Sequence, residues 1–435
     1  MQWKQLLNWD NQGQFSSQRT PFDRDFDRIV FSYPFRKLQD KTQVHPLPEQ
    51  DFVHNRLTHS LEVSSVGRSL GKAAGEQLLA RHNSLNQFIS ANDFGVITAS
   101  ASLAHDIGNP PFGHSGEDAI SDYFISNSKR YKTLFNEEQW TDLCNFEGNA
   151  QGFRLLNKSG YQGLRLTAPT LAAFTKYPRP SKVADQMKPR RSQKKYGYFQ
   201  TERDNFRKLV EQLGIHALSD NQWVRHPLAF LVEAADDICY NIIDLEDGFN
   251  LGLIGHSEAV EFMAGIIGEG YQPEKLKSIH SKIEQIAVLR ALAIGKLISE
   301  VVSLFLDHEE QMLSGKFDTA LADLIPSVST LKEIKKVSIA KIYRAKEVLE
   351  IEAAGFNIVH VLLDSFVPMT VEKEVTNKDQ IRFRLLPEDT KHEIEHAPNV
   401  YASLRCLLDY ISGMTDRNAM SLYRKIMGIS LPGNR

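Results

Sequence analysis

Apolar side chains recur at helical spacing along most of this chain, and this periodicity constrains its fold more than any other feature. It predicts helices over residues 57–81, 93–105, 116–127, 147–158, 203–213, 227–249, 257–268, 273–306, 328–351, 355–366, 390–412 and 415–427. Residues 366–386 instead alternate between apolar and other side chains on both sides of Thr376-Asn377-Lys378-Asp379, a pattern typical of strands joined by a turn. The sequence therefore predicts a mainly α fold with a small β-hairpin near the C-terminus.

The charge balance limits how this chain can meet an anionic partner. The formal net charge is −3, so the chain as a whole is not a polycation, and an anion would have to meet a local cluster. Residues 176–202 form such a cluster, with Lys176, Lys182, Lys188, Arg190, Arg191, Lys194 and Lys195 among the aromatic residues Tyr177, Tyr196, Tyr198 and Phe199. By itself this run is most simply a solvated surface loop. Beside a phosphate-handling site, it would contact phosphate groups.

Cysteine use and hydropathy indicate the cellular setting. The three cysteines (Cys144, Cys239 and Cys406) are far apart and form no CxxC pair, which fits a reduced, cytoplasmic protein and does not fit a thiolate zinc site. The N-terminal residues lack the apolar core of a signal peptide. Charged residues interrupt the longest apolar stretch, residues 286–306, so we expect a buried amphipathic helix and no membrane partner.

The segment of residues 103–114 carries the strongest signal for chemistry. A predicted helix ends in the adjacent pair His105-Asp106, and the run Gly108-Asn109-Pro110-Pro111 then breaks it. Adjacent His and Asp at a helix end can place one imidazole and one carboxylate on the same ion. Because a lone His-Asp pair is common by chance, its weight depends on partners elsewhere in the chain.

Two other predicted helices place polar groups on apolar faces. His59 shares its face with the apolar residues of the following turns, so its ring points inward. A single His in such a place is more often a hydrogen-bonded core residue than a ligand. Asp236, Tyr240 and Asp244 follow one another at helical spacing on a helix that is otherwise apolar. Each buried polar group costs about 1–3 kcal/mol unless it has a partner, and a cation, a sugar hydroxyl or a phosphate is such a partner.

Together these residues form the order His…His-Asp…Asp, which is the signature of the HD superfamily. The predicted metal ligands are His59, His105, Asp106 and Asp236. Two neutral imidazoles and two carboxylates make a mixed nitrogen and oxygen site that suits Mn²⁺, Mg²⁺, Ni²⁺, Co²⁺ or Fe²⁺. Four protein ligands on an octahedral ion leave positions for a water and a phosphoryl oxygen, as a hydrolytic metal centre requires.

His114 and Glu117 form a second candidate pair, one helical turn apart. Beside a metal, a His–Glu pair can act as a general acid–base unit in which the carboxylate fixes the ring tautomer. The alternative is that His114 only caps the loop. Ser115 and Asp118 match the two ends of a capping box, which predicts a helix start here and free N–H groups near a phosphate.

Seven motifs identify a family: RTPFDRDFDRI (residues 19–29), FRKLQDKTQV (35–44), NRLTHSLEV (55–63), HDIGNPPFGHSGE (105–117), NFEGNAQ (145–151), EAADDICYNIIDLEDG (233–248) and SGMTDR (412–417). Through them the chain resembles the deoxyguanosinetriphosphate triphosphohydrolase-like proteins over nearly its whole length. The resemblance implies an HD-domain helical fold with added helices. We divide it into an N-terminal segment with a base-reading loop (1–50), an HD catalytic core (51–250) and a C-terminal helical region (251–435).

The resemblance also implies which residues act. It carries the metal role to His59, His105, Asp106 and Asp236, and the catalytic role to His114 and Glu117. Substrate contacts are carried to Gln43 for the base edge, Arg56 for phosphate, Tyr240 and Asp244 for the deoxyribose and its 3′-hydroxyl, and Lys176, Tyr177, Lys195 and Tyr196 for the triphosphate.

The implied reaction is water attack at the α-phosphorus of dGTP or another dNTP, which releases a deoxynucleoside and tripolyphosphate. The resemblance also implies a homo-oligomer, often a hexamer, and a dNTP or single-stranded DNA as effector. Two alternatives stay open. One is another HD nucleotide phosphohydrolase, and the other is a nucleic-acid-binding regulatory protein whose basic and aromatic segment (residues 190–199) stacks on single strands.

Overall fold

The computed structural model describes residues 1–9, 19–43, 54–158, 163–183, 190–372 and 374–430. Within these residues the α-helices, α1 to α22 in chain order, are Trp3–Leu6, Pro21–Val30, Tyr33–Arg36, Arg56–Arg81, Ala91–Ala104, His114–Ser126, Ser128–Tyr131, Glu137–Cys144, Gly148–Leu156, Ala168–Phe174, Arg203–Gln212, Pro227–Asn250, His256–Ile267, Pro273–Lys277, Lys282–Asp307, Glu309–Leu313, Val328–Lys341, Lys346–Val371, Asn377–Phe383, Glu388–Glu395, Val400–Ser412 and Asp416–Ile426. Two short strands, β1 (Ala217–Ser219) and β2 (Gln222–Trp223), pair antiparallel. The prediction of a mainly α fold is confirmed.

The predicted β-hairpin at residues 366–386 is wrong. Helix α18 continues through the first part of this segment, and α19 occupies Asn377–Phe383. Thr376 and Asp379, which resemble a turn in the sequence, form a capping box: the Thr376 hydroxyl accepts from the Asp379 N–H, and the Asp379 carboxylate accepts from the Thr376 N–H. Because the same residue types favour turns and helix starts, the sequence alternation was misleading here.

Three helix boundaries also differ from the periodicity. The predicted helix 273–306 is divided into α14 and α15, because Ser281 caps the second of them. The predicted helix 390–412 is divided into α20 and α21, because Asn399 caps the latter. The interruption predicted at residues 352–354 is absent, because α18 runs through it. The helical structure is instead interrupted at residues 342–345, between α17 and α18.

Among the described residues, buried apolar side chains form two clusters that both adjoin one cavity. The first lies among α4, α5, α12 and α15 and includes Leu70 and Ile238. The second lies among α6, α18 and α21 and includes Leu362. Phe174 of the first cluster and Phe112 of the second both line the same cavity. The fold therefore opens a pocket where two packed helical layers adjoin.

Among the described residues, one helical segment is long and apolar enough to cross a membrane, and it lies in α18. It is Val348–Val371, and 56% of its most apolar window is buried inside the protein. The helix packs against α6 and α21. Such burial is typical of a core helix.

Glycines on one face of α4 bring α5 very close. A Cβ added at Gly71 would lie 2.5 Å from the backbone carbonyl oxygen of Phe94 on α5. Gly67 and Gly75 make similar contacts, with added Cβ atoms 2.4 Å and 2.8 Å from α5 side chains. Only a residue without a side chain permits this approach. The close packing fixes the spacing between the residues that α4 and the end of α5 contribute to the cavity.

A Gly71→Ala variant should lower the free energy of unfolding by about 1–3 kcal/mol, because the methyl group would force α4 and α5 apart. Thermal unfolding followed by circular dichroism measures this effect. Gly295→Ala on α15 is the matched control, since a Cβ there meets open space and alanine favours a helix over glycine. If both variants melt like the parental protein, the close packing of α4 on α5 does not require a glycine at position 71.

His54 joins the start of α4 to the last turns of α12 by an ionic bridge. Its Nδ1 lies 2.7 Å from Asp247 Oδ1, and its Nε2 lies 3.1 Å from Glu62 Oε1. Burial by itself would lower the pKa of His54, but the hydrogen bonds and negative charges of Asp247 and Glu62 outweigh it and raise the pKa to about 10.

A His whose pKa is raised by folding stabilises the folded state. This stabilisation is fully present below the unfolded pKa, about 6.5, and is lost as the pH rises through about 10. We therefore expect the parental protein to melt above a His54→Gln variant at pH 6, and the difference to shrink toward pH 10. Paired melting curves across this range measure it. A difference that is constant with pH would contradict the ionic bridge.

Candidate active site

Four side chains from three helices meet at one point. Helix α4 contributes His59, the end of α5 contributes His105 and Asp106, and α12 contributes Asp236. His59 Nε2 lies 3.3 Å from Asp236 Oδ1, and His105 Nε2 lies 3.7 Å from the same oxygen. Ligand atoms of His59, His105 and Asp106 lie within 4.8 Å of one another. These three groups could hold a single ion, and Asp236 Oδ1 lies beside both of its imidazoles.

Neighbouring groups orient the cluster. His105 Nδ1 donates to the Ser102 carbonyl oxygen at 2.7 Å, which leaves Nε2 facing the cluster. The Asn109 amide donates to Asp106 Oδ1. Asp106 Oδ2 is buried and accepts no hydrogen bond from the described residues, although the Arg56 guanidinium lies 2.9 Å away. Imidazole nitrogens together with a buried carboxylate oxygen that lacks a hydrogen bond fit a divalent cation.

Both carboxylates of the cluster are held in the ionised form. Burial by itself would raise the pKa of Asp236, but the charge of His105 and the hydrogen bond with His59 outweigh it and hold that pKa well below its usual range. Burial is likewise outweighed at Asp106, where the Arg56 guanidinium makes the largest contribution to lowering the pKa. Ionised carboxylates are the form that a cation binds.

His114 and Glu117 form a hydrogen-bonded pair at the start of α6. His114 Nδ1 lies 2.7 Å from Glu117 Oε2, and Glu117 Oε1 accepts the Gly148 N–H at 2.6 Å. Glu117 is buried, whereas the His114 side chain is 81% exposed. The hydrogen bond with Glu117 raises the pKa of His114. The ring is therefore fixed through Nδ1, and Nε2 is left for a proton-transfer partner.

Helix α6 begins in a different way from the predicted one. Its first residue is His114, its N-cap is Gly113, and no side chain caps it. The capping box expected at Ser115 does not form, because the Ser115 hydroxyl donates to the Glu352 carbonyl oxygen on α18. Phe112 and Gly113 both have positive φ angles, 63° and 59°. This reversed turn places His114 at the edge of the cavity.

One cavity of about 480 Å³ opens onto the cluster. The residues singled out from the sequence that line it are Gln43, Arg56, His105, Asp106, His114, Lys176, Tyr177, Lys195, Asp236 and Tyr240. His59 and Glu117 lie behind this lining, each hydrogen-bonded to a residue in it. The structure thus brings residues from five distant parts of the chain around one space.

Tyr196 is not brought to the cavity. Its ring is buried in the second apolar cluster, and its hydroxyl donates to the Asn145 carbonyl oxygen. The spacing of basic and aromatic residues could not separate Tyr196 from Tyr177, which does line the cavity. A contact between Tyr196 and a bound triphosphate has no support in this arrangement.

Buried carboxylates hold the lysines of the cavity in place. Lys176 Nζ lies 3.3 Å from Glu233, and Lys195 Nζ lies 3.1 Å from Glu147. Burial by itself would raise the pKa of Glu233, but Lys176 and the nearby arginines lower it to about 2. The cavity is therefore lined by lysines that ion pairs hold in place, as well as by carboxylates of the cluster.

The basic and aromatic segment does not present a stacking surface. Its aromatic residues Tyr196, Tyr198 and Phe199 are all buried. Arg191 pairs with Glu233 and Asp323. Lys188 belongs to residues 184–189, which lie outside the described part of the chain. Single-strand stacking by residues 190–199 is therefore not available in this structure, because stacking requires exposed rings.

Tyr343 is a cavity residue that the sequence analysis missed. It lies in the break between α17 and α18 and lines the cavity. Its ring stacks on Tyr240 with centroids 5.6 Å apart, and its hydroxyl donates to the buried carboxylate of Asp244. Asp244 is not itself among the residues that line the cavity, but it is hydrogen-bonded to Tyr343, which is. No local pattern distinguishes Tyr343, because the break in which it lies interrupts an apparently continuous helical periodicity.

Known proteins resemble this chain over almost its full length. A Synechocystis deoxyguanosinetriphosphate triphosphohydrolase-like protein is 43% identical over 99% of this chain and 100% of its own. A protein of the same name from Pseudomonas aeruginosa is 36% identical over 99% and 100%. A deoxyguanosinetriphosphate triphosphohydrolase from Salmonella paratyphi A is 31% identical over 94% of each chain. The chain belongs to the deoxyguanosinetriphosphate triphosphohydrolase-like family. The family resemblance predicted from the sequence motifs is confirmed.

A second match concerns the C-terminal part of this family member. Residues 327–425 match a family model described as a phosphohydrolase-associated domain. This range includes Tyr343 and all of α18, which supplies Val348, Ile351 and Glu352 to the cavity lining. The associated region is therefore part of the cavity wall.

Proposed function

We propose that this protein hydrolyses dGTP or other deoxynucleoside triphosphates to the deoxynucleoside and tripolyphosphate. The proposal rests on one observation: the His/Asp cluster and the His114–Glu117 pair adjoin the same cavity in a member of this family. Hydrolysis requires a polarised phosphoryl group and a proton transfer, and the two groups of residues supply one each.

The metal would be held by His59, His105, Asp106 and Asp236. A divalent ion bound there would polarise an α-phosphoryl oxygen and lower the pKa of a bound water. The donor set of two imidazoles and two carboxylates accepts Mn²⁺, Mg²⁺, Ni²⁺, Co²⁺ or Fe²⁺. Because Arg56 is paired with Asp106, it stands where it can also contact a phosphoryl oxygen.

Proton transfer is assigned to His114. Since its Nδ1 is bonded to Glu117, Nε2 is the atom that either protonates the departing 5′-oxygen or orders the attacking water. The bond that forms joins the water oxygen to the α-phosphorus. The bond that breaks joins the α-phosphorus to the 5′-oxygen, so the nucleoside leaves as an alcohol. Glu117, fixed by the Gly148 N–H, keeps the ring in this orientation.

The remaining cavity residues are assigned to the substrate. Lys176, Lys195 and Tyr177 would face the triphosphate, where preorganised cations offset the negative charge on its phosphoryl oxygens in the transition state. Tyr240 and Asp244, joined through Tyr343, would face the deoxyribose and its 3′-hydroxyl. Gln43 would read the base edge, because its Oε1 is buried without a hydrogen-bond partner among the described residues.

A panel of the four dNTPs with Mn²⁺ and with Mg²⁺ tests the proposal, with products separated by phosphorus NMR. Each reaction should also be run with a second dNTP and with single-stranded DNA, which are the predicted effectors. Tripolyphosphate without pyrophosphate is the expected product. Pyrophosphate with a nucleoside monophosphate would instead make the protein a different HD phosphohydrolase, and no hydrolysis in any reaction would overturn the proposal.

The wider setting of the protein is part of the same proposal. We expect a cytoplasmic homo-oligomer, with a hexamer as the assembly implied by the resemblance. The regions 1–50, 51–250 and 251–435 would serve as the base-reading segment, the HD core and the C-terminal helical region. The alternative of a nucleic-acid-binding regulatory protein loses its proposed contact surface, because the aromatic residues of segment 190–199 are buried.

A further inference from the structure

Asp416 links two loops of the cavity that are far apart in sequence. It is the first residue of α22, and it is buried. Its Oδ1 accepts the Phe112 N–H at 2.9 Å, and its Oδ2 accepts the Thr42 N–H at 2.9 Å. The first amide lies two residues before His114, and the second lies directly before Gln43. One carboxylate therefore binds the loop of the acid–base pair and the loop of the residue assigned to the base edge.

The bond to Phe112 supports a backbone conformation that needs support. Phe112 has a φ of 63°, a left-handed conformation that is unfavourable for a residue other than glycine. Gly113 follows with a φ of 59°, and a Cβ there would lie 2.7 Å from the Arg56 guanidinium. This reversed turn leads directly into His114. A contact that fixes the Phe112 backbone therefore also helps to fix the backbone from which the His114 side chain projects.

The same two loops are joined a second time by Lys41. Its buried Nζ donates to the Asn109 carbonyl oxygen at 2.5 Å and to the Ser412 carbonyl oxygen at 2.8 Å. The Arg56 N–H donates to the Lys41 carbonyl oxygen, so this loop is also attached to the start of α4. The C-terminal helices thus contact both loops through one buried carboxylate and one buried lysine side chain.

We propose that Asp416 is a positioning residue, which sets the loops of Gln43 and His114 relative to each other and so couples base recognition to acid–base catalysis. Asp416 belongs to the phosphohydrolase-associated region, residues 327–425, so this region would position active-site loops from the rest of the chain. The catalytic part of the inference rests on the proposed function. The positioning part rests on the two hydrogen bonds alone.

The variant that tests this inference is Asp416→Asn. An amide has the size of the carboxylate but offers one acceptor and one donor, so it can keep only one of the two backbone bonds. Asp409→Asn is the matched control, because Asp409 is a buried carboxylate of α21 that pairs with Arg154 and contacts neither loop. Asp416→Glu keeps both acceptors and serves as the conservative variant.

Hydrogen exchange measured by mass spectrometry gives a readout that does not depend on activity. In Asp416→Asn, exchange should rise in peptides covering Thr42 and in peptides covering Phe112. Asp409→Asn should leave both at the parental level, and Asp416→Glu should retain more protection than Asp416→Asn. If exchange rises in neither loop, or rises equally in the control, Asp416 does not position them.

Kinetics give the second readout. A misplacement of about 1 Å caused far from the reacting atoms can cost about 10²-fold in rate, so kcat for the preferred dNTP should fall by about tenfold or more, with the metal content unchanged. The four dNTPs should also become more similar in kcat/KM, because base recognition is weakened. A loss of stability alone would not cause this change. Parental kinetics in a variant with both loops loosened would overturn the catalytic part. If the parental protein hydrolyses no dNTP, the proposed function fails, and hydrogen exchange still decides the positioning role.

Discussion

An Asp236→Ala variant should bind no stoichiometric divalent ion and should lose about a thousandfold or more in kcat/KM. Asp236 Oδ1 is the atom that faces both His59 and His105, so its removal takes away the group that joins the two imidazoles. The ion is expected to contribute several kcal/mol to the transition state, and each 1.36 kcal/mol corresponds to about tenfold in rate. Elemental analysis of the purified protein and a dNTP hydrolysis assay measure the two effects.

The neighbouring residue Asp237 provides the control for Asp236. Its carboxylate lies 4.0 Å from Arg191, and burial is the main cause that raises its pKa to about 7. An Asp237→Asn variant should keep the metal and most of the activity, because this side chain pairs with Arg191 and the two imidazoles pair with Asp236. The reverse outcome, with the metal lost in Asp237→Asn and kept in Asp236→Ala, would show that the ligand on α12 was wrongly chosen.

A His114→Ala variant should keep its metal and lose about 10²–10⁴-fold in turnover, the usual contribution of a general acid or base. The reason is that His114 contacts Glu117 and not the His/Asp cluster, so its loss removes a proton-transfer group without removing a ligand. Metal content, KM and kcat should be measured on the same preparation. Hydrolysis of dGTP at the parental rate would remove His114 from the mechanism.

The His82–Glu309 pair allows a matched control for this variant. His82 Nε2 lies 2.5 Å from Glu309 Oε1 at the far end of α4, so the pair has the same chemistry outside the cavity. A His82→Ala variant should lose a hydrogen bond and retain both metal and turnover. Equal losses in the two variants would mean that the effect at His114 is one of stability.

The sequence predicted those parts of the site that depend on local patterns. Helical periodicity placed His59 and Asp236 on inward faces, and the helix break after His105-Asp106 marked the third element. The inward direction of each of these side chains follows from the periodicity of its own helix, so the local sequence was enough to predict it. The His114–Glu117 spacing was predictable for the same reason, although the start of α6 was not.

The parts that were missed depend on contacts between distant segments. Tyr343 gains its place from a stack on Tyr240, and Asp416 gains its place from two backbone amides in other loops. Tyr196 has the composition of a phosphate-site residue, but its hydroxyl is bonded in the core. The hairpin error arose because Thr376 and Asp379 cap a helix with the same groups that close a turn. The hairpin error is therefore a local ambiguity, whereas the contacts of Tyr343, Asp416 and Tyr196 join distant segments and leave no local sequence pattern.

Crystals of the protein soaked with Mn²⁺ and measured at the manganese absorption edge would test the central claim most directly. The account predicts one strong anomalous peak per chain, within coordination distance of His59 Nε2, His105 Nε2 and carboxylate oxygens of Asp106 and Asp236. A peak bound elsewhere, or a well-ordered site with no manganese at saturating concentration, would contradict it.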